Sequence, residues 1–199
     1  MSTISFLDSE TPIEGTQKIP TRIPSSSSTT DAPANVEIPE VIERLAKLAK
    51  DLAAVHRVCS EAYWTQGRYE DALQHQDIAV RIDEDEAEYR NQRGFLRYLT
   101  GDDGAAEDFE WVIQQGAANH EAHFNLGMLR FGQNNLVEAE RNFALAVQYG
   151  PDDAESWNNL GVARFQLGRI QEARQCFERS LEINPNYEEA AQNLADCAG

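Results

Sequence analysis

The chain has 199 residues, 41% hydrophobic and 26% charged, which suits one ordinary domain with a core and some chain to spare. Its 34 acidic residues outnumber 17 basic ones, for a formal net charge of -17. The resulting field repels phosphate backbones and anionic lipid headgroups, so nucleic acid and membrane surfaces are poor partners and a basic or apolar protein segment is a better one.

Residues 1–10 lack the basic and long apolar regions of a secretory signal, and no apolar run reaches membrane-spanning length. Cys59, Cys176 and Cys197 are an odd, widely spaced set without a CxxC pair, which argues against both a disulfide framework and a zinc site. The expectation is a cytoplasmic chain with reduced thiols packed as small apolar groups.

Residues 1–39 hold the serine run Ser25 to Ser28 and five of the seven prolines, and show no periodicity. Such a segment is expected to be disordered, because it has too little apolar surface to offset the entropy of ordering. Ile4, Phe6 and Leu7, and the pairs Ile19-Pro20 and Ile23-Pro24, are apolar islands of the kind used in docking motifs. An inert solvated tail is the simpler reading of them.

From Glu40 the texture changes, and the ordered region is placed at 40–199. Val41, Leu45, Leu48 and Leu52 form the stripe of an amphipathic helix, with Pro39 suited to its first turn. Beyond it the chain repeats itself. His123, Leu126-Gly127, Arg130-Phe131, Ala139, Phe143 and Pro151 return 34 residues later as Trp157, Leu160-Gly161, Arg164-Phe165, Ala173, Phe177 and Pro185. A weaker copy upstream has Ser60, Tyr63-Trp64, Gly67, Ala72 and Ala79, with Gln76 in place of the aromatic. The copy between them, with Gly94, Arg97-Tyr98, Gly101, Ala105 and Phe109, fits only if one residue is missing. The gap is assigned near Gly101 to Gly104, the acidic run Asp83 to Glu86 being the alternative.

The repeats are thus 53–86, 87–119, 120–153 and 154–187. Residues 188–199 repeat only a first helix through Ala191, Leu194 and Ala195 and read as a cap over the last repeat. Small residues such as Gly127, Gly161, Ala139 and Ala173 let paired helices approach, with Phe143 and Phe177 filling the space beside them. Each pair leaves an apolar face for its neighbour, so the pairs stack and the stack acquires a concave side.

Trp157, Leu160, Gly161, Ala173, Phe177 and Pro185 carry a resemblance to the tetratricopeptide repeat family. It covers about 53–199 and is strongest in the last two repeats. The usual tyrosine is replaced by Arg97, Arg130 and Arg164, each followed by an aromatic. The resemblance implies an all-α solenoid of antiparallel helix pairs, a right-handed superhelix of about four repeats with a C-terminal capping helix. It implies also that each pair's first helix lines a groove that binds another protein.

Carried over position by position, the groove holds an aromatic row of Trp64, Tyr98, Phe131 and Phe165. A second row is Glu61, Phe95, Met128 and Val162, and a third is Arg57, Asn91, Phe124 and Asn158. Aromatics at helical spacing are often core, and the aromatic row is open to either reading. Phe95, Phe124 and Met128 point more firmly to an apolar contact surface, because an exposed side chain of this size forgoes about 1.5 to 3 kcal/mol of burial. Asn125, Asn159 and Asn193 resemble a rail that in some relatives bonds the main chain of an extended peptide.

Glu88, Glu121 and Glu155 suit the positive ends of first helices; on a groove rim they would favour a ligand with basic flanks. Arg97, Arg130 and Arg164 are expected in internal salt bridges with packed stems. The carboxylate clamp of one subgroup of the family is rejected, since Glu61 stands where a carboxylate would bind. His56, His75, His120 and His123 form no ligand constellation and read as isolated surface groups. There is no phosphate loop, nucleophile elbow or paired-carboxylate pattern. Neither catalysis nor a cofactor or metal is expected. The leading function is an interaction adaptor that binds a peptide or apolar segment; the alternative is a chaperone for an apolar secretion or assembly cargo, which would differ by its promiscuity.

Overall fold

A computed structural model describes residues 38–116 and 120–197. The segment expected to be disordered lies outside the described residues, apart from Ile38 and Pro39, which open the first helix. The described residues form nine helices and no strand: α1 Ile38–Trp64, α2 Tyr69–Ile82, α3 Ala87–Thr100, α4 Ala105–Gln114, α5 His120–Gly132, α6 Leu136–Tyr149, α7 Ala154–Gln166, α8 Ile170–Ile183 and α9 Glu188–Asp196. Each packs on its chain neighbours, and α3 touches α5 as α7 touches α9. This is an all-α solenoid.

The turn inside each pair shows why the sequence repeats. Gly67, Gly101 and Gly168 take left-handed φ of 72°, 74° and 77°, and Asn134 occupies the equivalent place at 60°. A side chain is strained there, so glycine or asparagine is selected. The next residue's N–H then bonds a carbonyl five residues back: Arg68 to Tyr63, Asp102 to Arg97, Asn135 to Arg130 and Arg169 to Arg164. These bonds locate the gap in the second repeat. Arg68, Asn135 and Arg169 each stand four residues before the buried alanines Ala72, Ala139 and Ala173, whereas Asp102 stands three before Ala105. The missing residue therefore belongs between Asp102 and Ala105.

Glycine is required at a second place by contact. A Cβ on Gly94, Gly127 or Gly161 would lie 2.7, 2.7 or 2.5 Å from the ring of Phe109, Phe143 or Phe177. Those rings are at most 1% exposed, and each contributes about 1.5 to 3 kcal/mol of burial. Ser60 and the fully buried Gln76 replace the pair in the first repeat, where Gln76 Nε2 donates to the Tyr89 carbonyl at 2.9 Å.

The second repeat departs further. Arg93 stands where Leu126 and Leu160 fill the core, and Asp108 faces it from α4. Arg93 donates twice to Asp108, at 2.6 and 2.9 Å, and Arg97 adds a third bond at 2.9 Å. Burial pulls the Arg93 guanidinium down, but bonds and charge from Asp108 outweigh it and leave its pKa raised. Arg130 pairs with Glu110 at 3.0 Å and Arg164 with Glu140 at 3.1 Å, so all three of the expected internal arginine bridges are present.

One expectation, on the histidines, is corrected, and two placements go beyond the sequence. The stripe of Val41, Leu45, Leu48 and Leu52 is helical, and no described residue covers it; the four are 41% to 62% exposed. The histidines are not isolated. His56 and His75 approach to 3.0 Å, and His123 is buried in a stack with Tyr149. In α9 the buried residue is Ala190, while Ala191 and Ala195 are exposed.

Candidate peptide-binding groove

The first helices of consecutive pairs line a cavity of about 480 Å³. Helix α1 contributes Ser60, Glu61 and Trp64; α3 contributes Asn91, Gln92, Phe95 and Leu96; α5 contributes His120, Glu121, Phe124 and Asn125; Asp153 and Glu155 close the far end. Residues four apart on a helix share a face, which is how the i, i+4 pairs Asn91 and Phe95, and Glu121 and Asn125, come to face one space.

Rings form the floor. Trp64 meets Phe95 edge-on with centroids 6.5 Å apart, and Phe124 rests on the buried Phe143 at 5.9 Å. Phe95 and Phe124 thus have one side in the core and one towards the cavity, an arrangement that fixes their rotamers without ligand. Carboxylates form the rim. Glu61 accepts from Arg57 on its own helix, and Glu121 from Asn91 at 3.1 Å. Burial pushes the Glu155 carboxyl up, and the nearby charges of Asp153 and Glu189 push it further. Glu121 and Glu155 also lie in first helical turns, so the helix-dipole and rim readings hold together.

His120 Nε2 lies 3.1 Å from Asp153 Oδ2 and 2.8 Å from Ser156 Oγ. A serine, histidine and aspartate so close invite comparison with a hydrolase relay, but a relay uses both ring nitrogens. Here one nitrogen meets both partners, and Ser156 is fully buried. The cluster is a helix cap: Asp153 accepts from the Ser156 N–H at 2.8 Å. Burial raises the Asp153 carboxyl, while the Ser156 bonds and the charge of His120 outweigh that and hold its pKa below the usual aspartate range.

Of the residues expected in the groove, Glu61, Trp64, Asn91, Phe95, Phe124 and Asn125 share this cavity, and the others of those rows do not line it. Tyr98 packs on the cluster of Phe109 and Leu126, and Met128 and Phe131 on that of Phe143 and Leu160. Phe165 is 38% exposed in the last pair, Val162 is half-buried and Asn158 is buried. The asparagine row is already engaged. Asn125 donates to Asn91 at 3.3 Å, Asn193 to Asn158 at 2.9 Å, and Asn159 to its own helix at the Glu155 carbonyl. Where Phe124 interrupts the third row, Asn159 has no amide to reach.

Sequence reasoning missed His120 and Asp153 as cavity residues. Their signal was positional: His120 opens α5 and Asp153 caps α7, bringing both to one end of the groove.

Tetratricopeptide repeat profiles match residues 154–187, 103–148 and 53–75, together more than half of the chain. The chain is a tetratricopeptide repeat protein. Among solved tetratricopeptide-type folds it is similar to a MamA crystal structure (18% identity over 74% of this chain and 81% of that one, TM-score 0.65). It is similar also to PilF of Pseudomonas aeruginosa (22%, 75% and 68%, 0.69). A third is YrrB, described as a TPR protein with an unusual peptide-binding site (18%, 79% and 85%, 0.61). No curated protein matches the chain in sequence. Among the described residues no helix is long and apolar enough to cross a membrane, and no group of three or more His, Cys, Asp or Glu is placed to hold a metal.

Proposed function

We propose that this tetratricopeptide repeat protein is an interaction adaptor whose groove takes an extended segment of another protein. One or two apolar side chains of the segment rest on Trp64, Phe95 and Phe124, and a lysine or arginine beside them meets Glu61, Glu121 and Glu155. The carrying observation is a ring-floored, carboxylate-rimmed cavity spanning three first helices. The peptide-binding site ascribed to YrrB, which shares the fold, supports the same use of the architecture. Preformed helices keep the ordering cost on the ligand side.

The test is fluorescence anisotropy on a set of short peptides that vary one apolar and one basic position. Phe124→Ala and Trp64→Ala should each weaken the best peptide about 10-fold to 30-fold, as truncated aromatic anchors do, with helix content unchanged by circular dichroism. Unchanged affinity in a folded variant rejects the groove, and equal affinity for every apolar peptide points to a chaperone instead. Because a bound cation requires Glu155 ionised and its native pKa is raised, basic peptides should bind more tightly as pH rises through that raised value. Glu155→Gln should flatten the dependence.

A further inference from the structure

We infer that α1 carries a second interaction surface, independent of the groove, through which two copies of this chain pair as an antiparallel coiled coil. At 27 residues α1 is twice the length of the other first helices, which have 13 or 14. The contact of Lys50 with Asp83, just past the end of α2, shows that residues 38–49 project beyond the helix pair. Ile38, Val41, Leu45, Leu48, Leu52 and Val55 lie on this helix at spacings of three, four, three, four and three. That is an unbroken heptad seam, narrower than the stripe of a globular helix. All six are between 41% and 75% exposed. Ala53, His56 and Ser60, which face α2, lie about a quarter turn round the helix from the seam. Packing among the described residues therefore leaves it bare.

Charge selects the occupant. Residues 38–52 hold three acidic groups (Glu40, Glu43, Asp51) and three basic ones (Arg44, Lys47, Lys50), so this stretch is neutral in a chain of net charge -17. Two copies can meet here without the repulsion that would act elsewhere on the molecule. The seam is also complementary to itself in one orientation. Run antiparallel, Leu45 faces Leu48 of the second copy, Val41 faces Leu52 and Ile38 faces Val55, giving six layers over about 27 Å by the twofold axis. The same register sets Arg44 opposite Asp51 of the second copy, twice. Asp51 is exposed and has no ion-pair partner among the described residues; Arg44 bonds only Glu40 on its own helix and has donors to spare. A parallel register would leave Arg44 facing Ala49. It would also place leucine mainly at the first seam position and valine at the second, the reverse of what two parallel strands prefer.

The test uses the full chain in analytical ultracentrifugation at micromolar concentration. The expected mass is twice 22.3 kDa. Leu45→Glu with Leu48→Glu should give a monomer that keeps the helix content of the wild type by circular dichroism, since neither leucine is buried in the chain. Arg44→Asp alone and Asp51→Arg alone should each weaken pairing about tenfold, and the two together should restore it. A monomeric or tetrameric wild type overturns the proposal, as does a dimer that survives the leucine changes. So does a double charge reversal no better than the single ones. Groove variants such as Phe124→Ala should leave the mass unchanged, so failure of either proposal leaves the other standing.

Discussion

Asp108→Ala removes the one acid that joins Arg93 to Arg97 inside the second repeat. The Asp108 side chain is 2% exposed and the two arginines 13% and 20%. Without it the guanidiniums keep Asp77, 41% exposed and 3.4 to 3.9 Å away, and Arg97 keeps Asp102, 48% exposed and 3.7 Å away. An uncompensated buried charge of this kind costs about 3 to 5 kcal/mol, against a total stability of about 5 to 15 kcal/mol for a typical domain. The third repeat supplies a control, because Leu126 and Asn142 occupy the places of Arg93 and Asp108. Arg93→Leu with Asp108→Asn should recover part of the loss, since it removes one of the two stranded charges and leaves only Arg97 short of a partner. Urea unfolding followed by circular dichroism measures both, and the single variant should also melt roughly 10 °C lower. A loss below about 1 kcal/mol for Asp108→Ala, or a double variant no better than the single one, would refute the reasoning.

Gly161→Ala places a Cβ 2.5 to 2.9 Å from three atoms of the buried Phe177 ring. The resulting overpacking of about 1 to 3 kcal/mol should outweigh the gain of about 1 kcal/mol from better helix propensity, so thermal unfolding should move down, and adding Phe177→Leu should relieve part of the loss. At the α7 cap, Asp153→Ala should cost about 1 kcal/mol, whereas Asp153→Asn should keep the cap and lose only the charge. Because the native pKa of Asp153 is depressed, the stability due to its charge is complete above the ordinary aspartate range and disappears as pH falls towards the native value. The gap between wild type and Asp153→Asn should close over that interval in acid melts.

The repeats were legible because contact dictates residue type. Only glycine permits a phenylalanine ring to lie on the helix backbone at Gly94, Gly127 and Gly161, and only glycine or asparagine suits the left-handed turn residue. Such demands recur at each repeat and surface as identities 34 residues apart. The Arg93 and Asp108 pair was hidden because it occurs once and replaces the pattern. Its trace was two opposite charges at positions where the third repeat holds leucine and asparagine.

The groove was half legible. Register places a residue on the inner side of a first helix but does not say whether it faces the cavity or the seam with the next helix. Phe95 and Phe124 reach the cavity, while Met128 and Phe131 go to the seam. The stripe at the start of α1 was legible as a helix, but hydrophobic spacing records that a face is to be covered without recording by what.

The carboxamides along the inner face have one further consequence. Asn125 and Asn193 already donate to amides on the first helix of the preceding pair, and Asn159 to a carbonyl of its own helix. A ligand that drew on them would trade one such bond for another at little net gain. If the groove takes a peptide as proposed, selection among ligands would fall to the rings and carboxylates, which would weigh what projects from the strand and leave the direction of its main chain almost unread.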